Sequence, residues 1–193
     1  SSFNDNKLTN TEKFQIAVDL FDDKKYQKAK EYFEEIVQNE QGTNLGLEST
    51  FYLAKTLYEL KEYEEASYNF NYFSMFSKDI ENVEYSQYMK SKCAYELTLP
   101  YNKDQSSTLY AISIIQEFLD NFPYSSYKDS AFDMILKLRH RLGRKKFESG
   151  RLYLKMKKYD SALYYFNIII SEYYDTKFHD EALIYYIFTY IVM

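Results

Sequence analysis

Apolar residues recur along this chain at three- and four-residue intervals, the period that places them on one face of a helix. The same arrangement returns in separated segments. KKYQKAKEYFEEIV from Lys24, KEYEEASYNFNYF from Lys61 and KKYDSALYYFNIII from Lys157 align as Tyr26/Ala29/Phe33, Tyr63/Ala66/Phe70 and Tyr159/Ala162/Phe166. A further copy, STLYAISIIQEFLDNFP, supplies Ala111, Ile115 and Phe118 and ends on Pro123. In each copy the Ala and the residue four positions on lie one turn apart, so a small side chain admits a neighbouring helix while a large one fills the adjoining gap. Upstream of each copy runs a second amphipathic segment with a small residue near its centre, at Ala17, Ala54, Ala94 and Gly150. Helix pairs follow, joined by tight turns expected at Asp22–Lys25, Leu60–Glu62 and Met156–Lys158.

The units lengthen along the chain, from 37 residues (Ala29 to Ala66) to 45 (to Ala111) and 51 (to Ala162). Pro100 breaks the helix in the irregular stretch from Leu97 to Thr108, and Asp104, Ser106 or Ser107 is suited to cap the next one. The stretch from Ser126 to Lys155 has no proline and reads as one helix of about 30 residues. Asp180 to Met193 reads as the first helix of a fifth pair, whose apolar Tyr186, Ile187 and Ile191 would seek a neighbour. The expected fold is therefore all-α: a right-handed superhelix of antiparallel helix pairs, about 4.5 tetratricopeptide-type repeats. The expected organisation is a flexible segment over 1–10, then repeats over about 11–40, 47–78, 84–122 and 126–174, with a partial fifth over 177–193.

Composition narrows the function. Of 193 residues, 46% are hydrophobic and 20% aromatic, ample for a continuous core. The net charge of −5 argues against a nucleic-acid binder, which concentrates basic residues on one face. His140 and His179 stand far apart and Cys93 is the single cysteine, so no metal-ligand set is readable, nor is a Gly-rich phosphate loop or a nucleophile elbow. No catalytic residue, cofactor or metal is expected, and no run of apolar residues is long enough to span a membrane. In repeat arrays the first helices of successive pairs line a groove. Here that face would carry Phe14, Val18 and Phe21; Phe51, Lys55 and Tyr58; and Tyr88, Ser91 and Tyr95, an aromatic and hydroxyl-rich surface suited to extended peptides, although several of these rings fit a core equally well. Lys137, Arg139, Arg141, Arg144, Lys145 and Lys146 form a basic cluster on the long helix, read first as a solvated face balanced by Asp133 and Glu148 and second as a surface for an acidic partner.

Four stretches resemble the BamD family, tetratricopeptide-repeat lipoproteins of the outer-membrane β-barrel assembly machinery. They are Thr11–Phe14 leading into Lys24–Ala29; the insertion Thr98-Leu-Pro100-Tyr101 with Asp104-Gln105 and Thr108; Ala111-Ile112 through Phe118 to Ser125; and the long helix from Leu138-Arg139 through Lys145-Lys146-Phe147 to Tyr153. The insertion and the extended helix are the discriminating features. Departures are Asn39-Glu40 and Lys78-Asp79 where a closing proline is common, and Tyr174 in place of a proline before Asp175. The resemblance implies a non-catalytic receptor on the periplasmic face of a Gram-negative outer membrane, anchored through a lipid on a cysteine upstream of Ser1. Cys93 does not substitute for that cysteine, since it reads as a small core residue. The implied partners are unfolded outer-membrane protein clients, held on the front repeats, and the periplasmic domains of the barrel-bearing subunit, held on the rear ones. Partner-docking candidates are Asp104, Gln105, Arg139, Arg144 and Lys145. Two other readings stay open. One is a periplasmic adaptor of the Tol–Pal division type, which is not expected to carry the Pro100–Gln105 insertion. The other is a co-chaperone clamping acidic peptide tails, which would need several converging cations where this groove offers only Lys55.

Overall fold

The computed structural model describes residues 8–193, which form nine α-helices and no strand. In order these are α1 (Asn10–Asp22), α2 (Tyr26–Asn39), α3 (Asn44–Glu59), α4 (Tyr63–Phe76), α5 (Ile80–Glu96), α6 (Ser106–Asn121), α7 (Lys128–Lys155), α8 (Tyr159–Glu172) and α9 (His179–Val192). The long helix expected in the fourth pair is α7, 28 residues on end. The flexible segment expected over 1–10 lies, up to residue 7, outside the described residues. Its last part is ordered: Thr9 caps α1 in a capping box with Glu12, whose carboxylate accepts from the Thr9 backbone N–H at 2.8 Å. The helices divide into two compact units, Ser1–Leu97 with Glu117–Ser125, and Thr98–Gln116 with Ser126–Met193.

The repeat is built on one register. Ala29, Ala66, Ala111 and Ala162 are all wholly buried, as are Phe33, Phe70, Ile115 and Phe166 four residues on. Seven residues after each Ala stands Ile36, Phe73, Phe118 or Ile169, again buried. In α6 the large ring has therefore moved one turn along, from the first of these positions to the second. On the preceding helices the small residue and a ring three positions before it keep the same spacing: Phe14/Ala17, Phe51/Ala54, Tyr88/Ser91 and Phe147/Gly150. The third of these corrects the sequence reading, which put Ala94 at the centre of α5. Ser91 lies 37 residues after Ala54 and is wholly buried, so it keeps the register, and Ala94 is buried one turn on.

Each unit closes around a matching trio of rings. In the first, Tyr52 stacks on Phe33 at 5.6 Å and meets Phe14 edge-on at 5.5 Å, with Phe14 and Phe33 at 5.9 Å. In the second, Tyr185 lies 5.5 Å from Phe166 and meets Phe147 edge-on at 5.4 Å, with Phe147 and Phe166 at 5.9 Å. Such edge and offset arrangements suit the ring quadrupole and add to the burial of apolar area.

The three turns fall where the sequence places them, and each is made the same way. Lys24, Lys61 and Lys157 adopt left-handed backbone, with φ of 61°, 65° and 57°. Their N–H groups donate to Phe21, Tyr58 and Leu154 O, and the next residues' N–H groups donate to Leu20, Leu57 and Tyr153 O. This double bond pattern satisfies carbonyls left over at the helix end and reverses the chain onto the second helix. α5 ends without it, at Leu97, and leads instead into the insertion.

Candidate functional site

The first helices of the pairs in unit 1 present a ladder of side chains with a 37-residue step. Phe21, Tyr58 and Tyr95 occupy one row; Val18, Lys55 and Lys92 occupy the row beside it. Phe21 meets Tyr26 and Tyr58 meets Tyr63 with the same geometry, 5.4 Å between centroids and 63° between planes. These side chains are half-buried, each with an open edge. The Lys55 ammonium sits among three rings, 4.6 Å from Tyr52, 5.0 Å from Phe21 and 5.5 Å from Phe51. Lys92 repeats the device one step on, 5.0 Å from Tyr58 and 5.9 Å from Tyr88. A cation over aromatic faces is held by the ring quadrupoles. Burial lowers the Lys55 pKa, with Asp22 opposing, and raises that of Tyr58 to about 12, with Glu96 adding to it. Tyr58 is thus a neutral hydrogen-bonding phenol at any physiological pH. A hollow of about 580 Å³ opens beside Lys55, lined also by Glu48, Phe51, Tyr52, Asp79 and Tyr85.

Not every residue expected on this face reaches its surface. Phe51 and Tyr88 are each only 8% exposed, and Ser91 is wholly buried with its hydroxyl donating to Gln87 O at 3.1 Å. Phe51 packs against Phe70, Phe73 and Tyr85, while Tyr88 packs against Phe118. Phe14 is half-buried in the ring trio. Val18, Phe21, Lys55, Tyr58 and Tyr95 remain as the face, joined by Tyr52 and Lys92. Lys92 was legible from the 37-residue step that links it to Lys55. Tyr52 was not, because its ring turns back onto the preceding pair.

In unit 2 the insertion is bound to α7. Gln105 is buried, and its amide donates to Pro100 O at 2.8 Å and to Lys103 O at 3.1 Å while its carbonyl accepts from the Thr108 hydroxyl at 2.9 Å. Asp104 accepts from Ser106 N–H at 2.9 Å, and hydrogen bonding to the Ser106 hydroxyl and then its N–H, helped by the charge of Lys145, holds the Asp104 carboxyl below the usual range. From α7, Arg141 donates to the Thr98 hydroxyl and to Leu99 O, and Lys145 to Lys103 O at 2.7 Å. Arg144 lies over the Tyr101 ring. Arg139 belongs elsewhere: it makes a two-pronged pair with Asp175, 2.7 Å on each arm, and donates to Glu172 O at 2.6 Å. Of the balancing pairs anticipated from sequence, Lys137 meets Asp133 at 2.6 Å, whereas Glu148 pairs at 3.4 Å with Arg151, outside the cluster. Arg141, Arg144 and Lys145 clamp the insertion, while Lys146 lies 5.7 Å from the centre of the Tyr165 ring.

The YfiO family, described as outer membrane lipoprotein, matches residues 6–193. The chain belongs to the YfiO family. Two curated relatives are both named outer membrane protein assembly factor BamD. The one from Rickettsia prowazekii is 32% identical over 165 residues, 85% of this chain and 65% of the relative. The one from Caulobacter vibrioides is 24% identical over 170 residues, 88% of this chain and 56% of the relative. The chain thus spans about two thirds or less of the length of these YfiO-family relatives. Among the described residues no group of His, Cys, Asp and Glu is placed to hold a metal ion, and no helix is long and apolar enough to cross a membrane. Cys93, wholly buried, has its thiol pushed up to about 12 by that burial, which makes it a poor nucleophile. What this YfiO-family chain offers is aromatic area, fixed cations and a braced loop, the materials of protein docking.

Proposed function

We propose that the chain is a non-catalytic receptor of outer-membrane protein assembly that holds unfolded outer-membrane protein clients on the face of α1, α3 and α5. The observation that carries this reading is the ladder Val18/Phe21, Lys55/Tyr58, Lys92/Tyr95, whose even step suits an extended polypeptide with large side chains at intervals. The names of the two relatives support the process. The insertion clamped to α7 is the second contact, presenting Asp104, Arg144 and Lys145 to the periplasmic domains of the barrel-bearing subunit, with Gln105 fixing the loop from within and Arg139 bracing the α8–α9 connection. In this reading the protein works at the periplasmic face of the outer membrane, tethered by a lipid anchor.

The test is the double substitution Tyr58→Ala with Tyr95→Ala. Loss of two aromatic contacts should weaken binding of a client-derived peptide by roughly tenfold or more while the far-ultraviolet circular dichroism stays helical. Unchanged affinity would remove the groove from the account. For the second contact, Tyr101→Ala should reduce capture of the barrel subunit's periplasmic domains and leave peptide affinity alone.

A further inference from the structure

Unit 1 has a second concave surface, distinct from the ladder, between α2, α3 and α4. It is a cleft of about 1060 Å³, and every charged side chain lining it is acidic: Glu31, Glu34, Glu35 and Glu40. The opposite wall is a stripe on α4, where Tyr68, Tyr72 and Phe76 follow at four-residue steps, 70%, 40% and 58% exposed, with Tyr72 and Phe76 rings 4.7 Å apart. Large apolar rings left this open on a helix are a mark of an interaction surface when they border a concavity. Leu53 and Thr50 form its buried floor.

The end of the cleft is rigidly built. Thr43 caps α3 by accepting from Gly46 N–H at 3.0 Å and donates its hydroxyl to Glu40 O at 2.9 Å. Gly46 is required there, since a Cβ would stand 2.0 Å from Glu40 O. Glu35 and Glu40 are already engaged, by Lys13 at 2.6 Å and by Asn10 at 2.7 Å. Glu34 lies 3.8 Å from Lys30, which is closer to Glu62 at 2.5 Å. Glu31 has no ion-pair partner among the described residues. The rim therefore keeps an excess of negative charge facing the aromatic wall.

We propose that this cleft docks a short basic segment of a partner protein, with one or two large apolar side chains against Tyr68, Tyr72 and Phe76 and its lysines or arginines on the glutamate rim. Charge sets the occupant: an acidic or neutral apolar segment would meet four carboxylates, of which only Glu35 is in a close ion pair, with Lys13. The surface shares no residue with the ladder, so this inference stands or falls apart from the client reading.

The probe is a fluorescein-labelled synthetic decapeptide of alternating lysine and leucine or phenylalanine, set against a counterpart with glutamate for lysine. Binding is read by anisotropy on the whole chain. The basic peptide is expected to bind and the acidic one not to, with affinity falling as salt is raised. Glu31→Gln with Glu34→Gln, which leaves the Lys13–Glu35 pair intact, should weaken binding roughly fivefold. Tyr72→Ser should weaken it comparably, whereas Lys55→Met on the ladder should not. Equal binding of the two peptides, indifference to both cleft variants with unchanged circular dichroism, or a loss confined to Lys55→Met would overturn the proposal.

Discussion

The guanidinium carbon of Arg144 stands 4.0 Å from the centre of the Tyr101 ring, which ties the exposed face of α7 to the tip of the insertion 43 residues earlier in the chain. Around it, three backbone or hydroxyl oxygens of the insertion accept from Arg141 and Lys145. A loop that contains Pro100 and no regular structure is thereby given one shape. Because Arg144 is largely exposed, its coupling to Tyr101 should be modest. A double-mutant cycle with Arg144→Ala and Tyr101→Ala, followed by urea denaturation, should give about 0.5–1 kcal/mol. A coupling of zero would mean that the Arg141 and Lys145 bonds hold the loop by themselves.

Gly150 occupies the position that Ala17 and Ala54 fill in the other pairs, so alanine there looks harmless by sequence. The geometry says otherwise. A Cβ on Gly150 would lie 2.7 Å from Phe166 Cε1 and 3.0 Å from its Cδ1, and Phe166 is wholly buried among Phe147, Ile169 and Ala182. Overpacking costs about 1–3 kcal/mol, against about 1 kcal/mol recovered from the better helix propensity of alanine. Gly150→Ala should thus lower the melting temperature, and Phe166→Leu in the same chain should cost less than it does alone. Strict additivity of the two changes would contradict the close approach.

How far sequence reaches is visible in these same residues. The 37-residue register, the Ala positions and the turns could be read because local spacing determines them. Ser91 was expected on the groove face; in the helix its hydroxyl is satisfied by Gln87 O, which lets serine act as a small core residue. The roles of Gln105 and Arg141 could not be read, since each depends on which turn of α7 or of the loop comes opposite. Of the expected groove face, Phe14, Phe51 and Tyr88 turn instead onto the second helix of their own pair or onto the pair that follows.

The left-handed lysines give a backbone prediction. Lys61 at φ 65° has its N–H and the next committed to Tyr58 and Leu57 carbonyls, so the turn persists despite the steric cost of a Cβ, about 1–2 kcal/mol. Glycine relieves that cost but adds about 0.5–1 kcal/mol of unfolded-state entropy. Lys61→Gly should therefore change stability by less than about 1 kcal/mol, in the stabilising direction if at all. Lys61→Val, whose branched Cβ tolerates this region worst, should lower it by about 1–2 kcal/mol in denaturant titration. Equal effects of glycine and valine would show that the turn is not left-handed in solution.

Arg139 and Asp175 provide a pH-dependent brace for the α8–α9 connection. The guanidinium beside it holds the Asp175 carboxyl below the ordinary carboxylate range, against a smaller opposing effect of burial. An unfolded Asp binds its proton near pH 3.9, so below that value the unfolded chain takes up a proton that the folded site resists. The contribution is consequently complete above about pH 5 and disappears as pH falls through the lowered folded-state value. Asp175→Asn should be less stable than the parent chain by about 1 kcal/mol at neutral pH, a figure kept low because both side chains are about one-third exposed, at 29% and 33%. The gap should close as the pH falls through the lowered folded-state value, where the parent's own pair is protonated and broken. Melting curves of the two chains across that range decide it, and a gap that stays constant or widens in acid would assign the stability of this corner to the Arg139–Glu172 carbonyl bond instead.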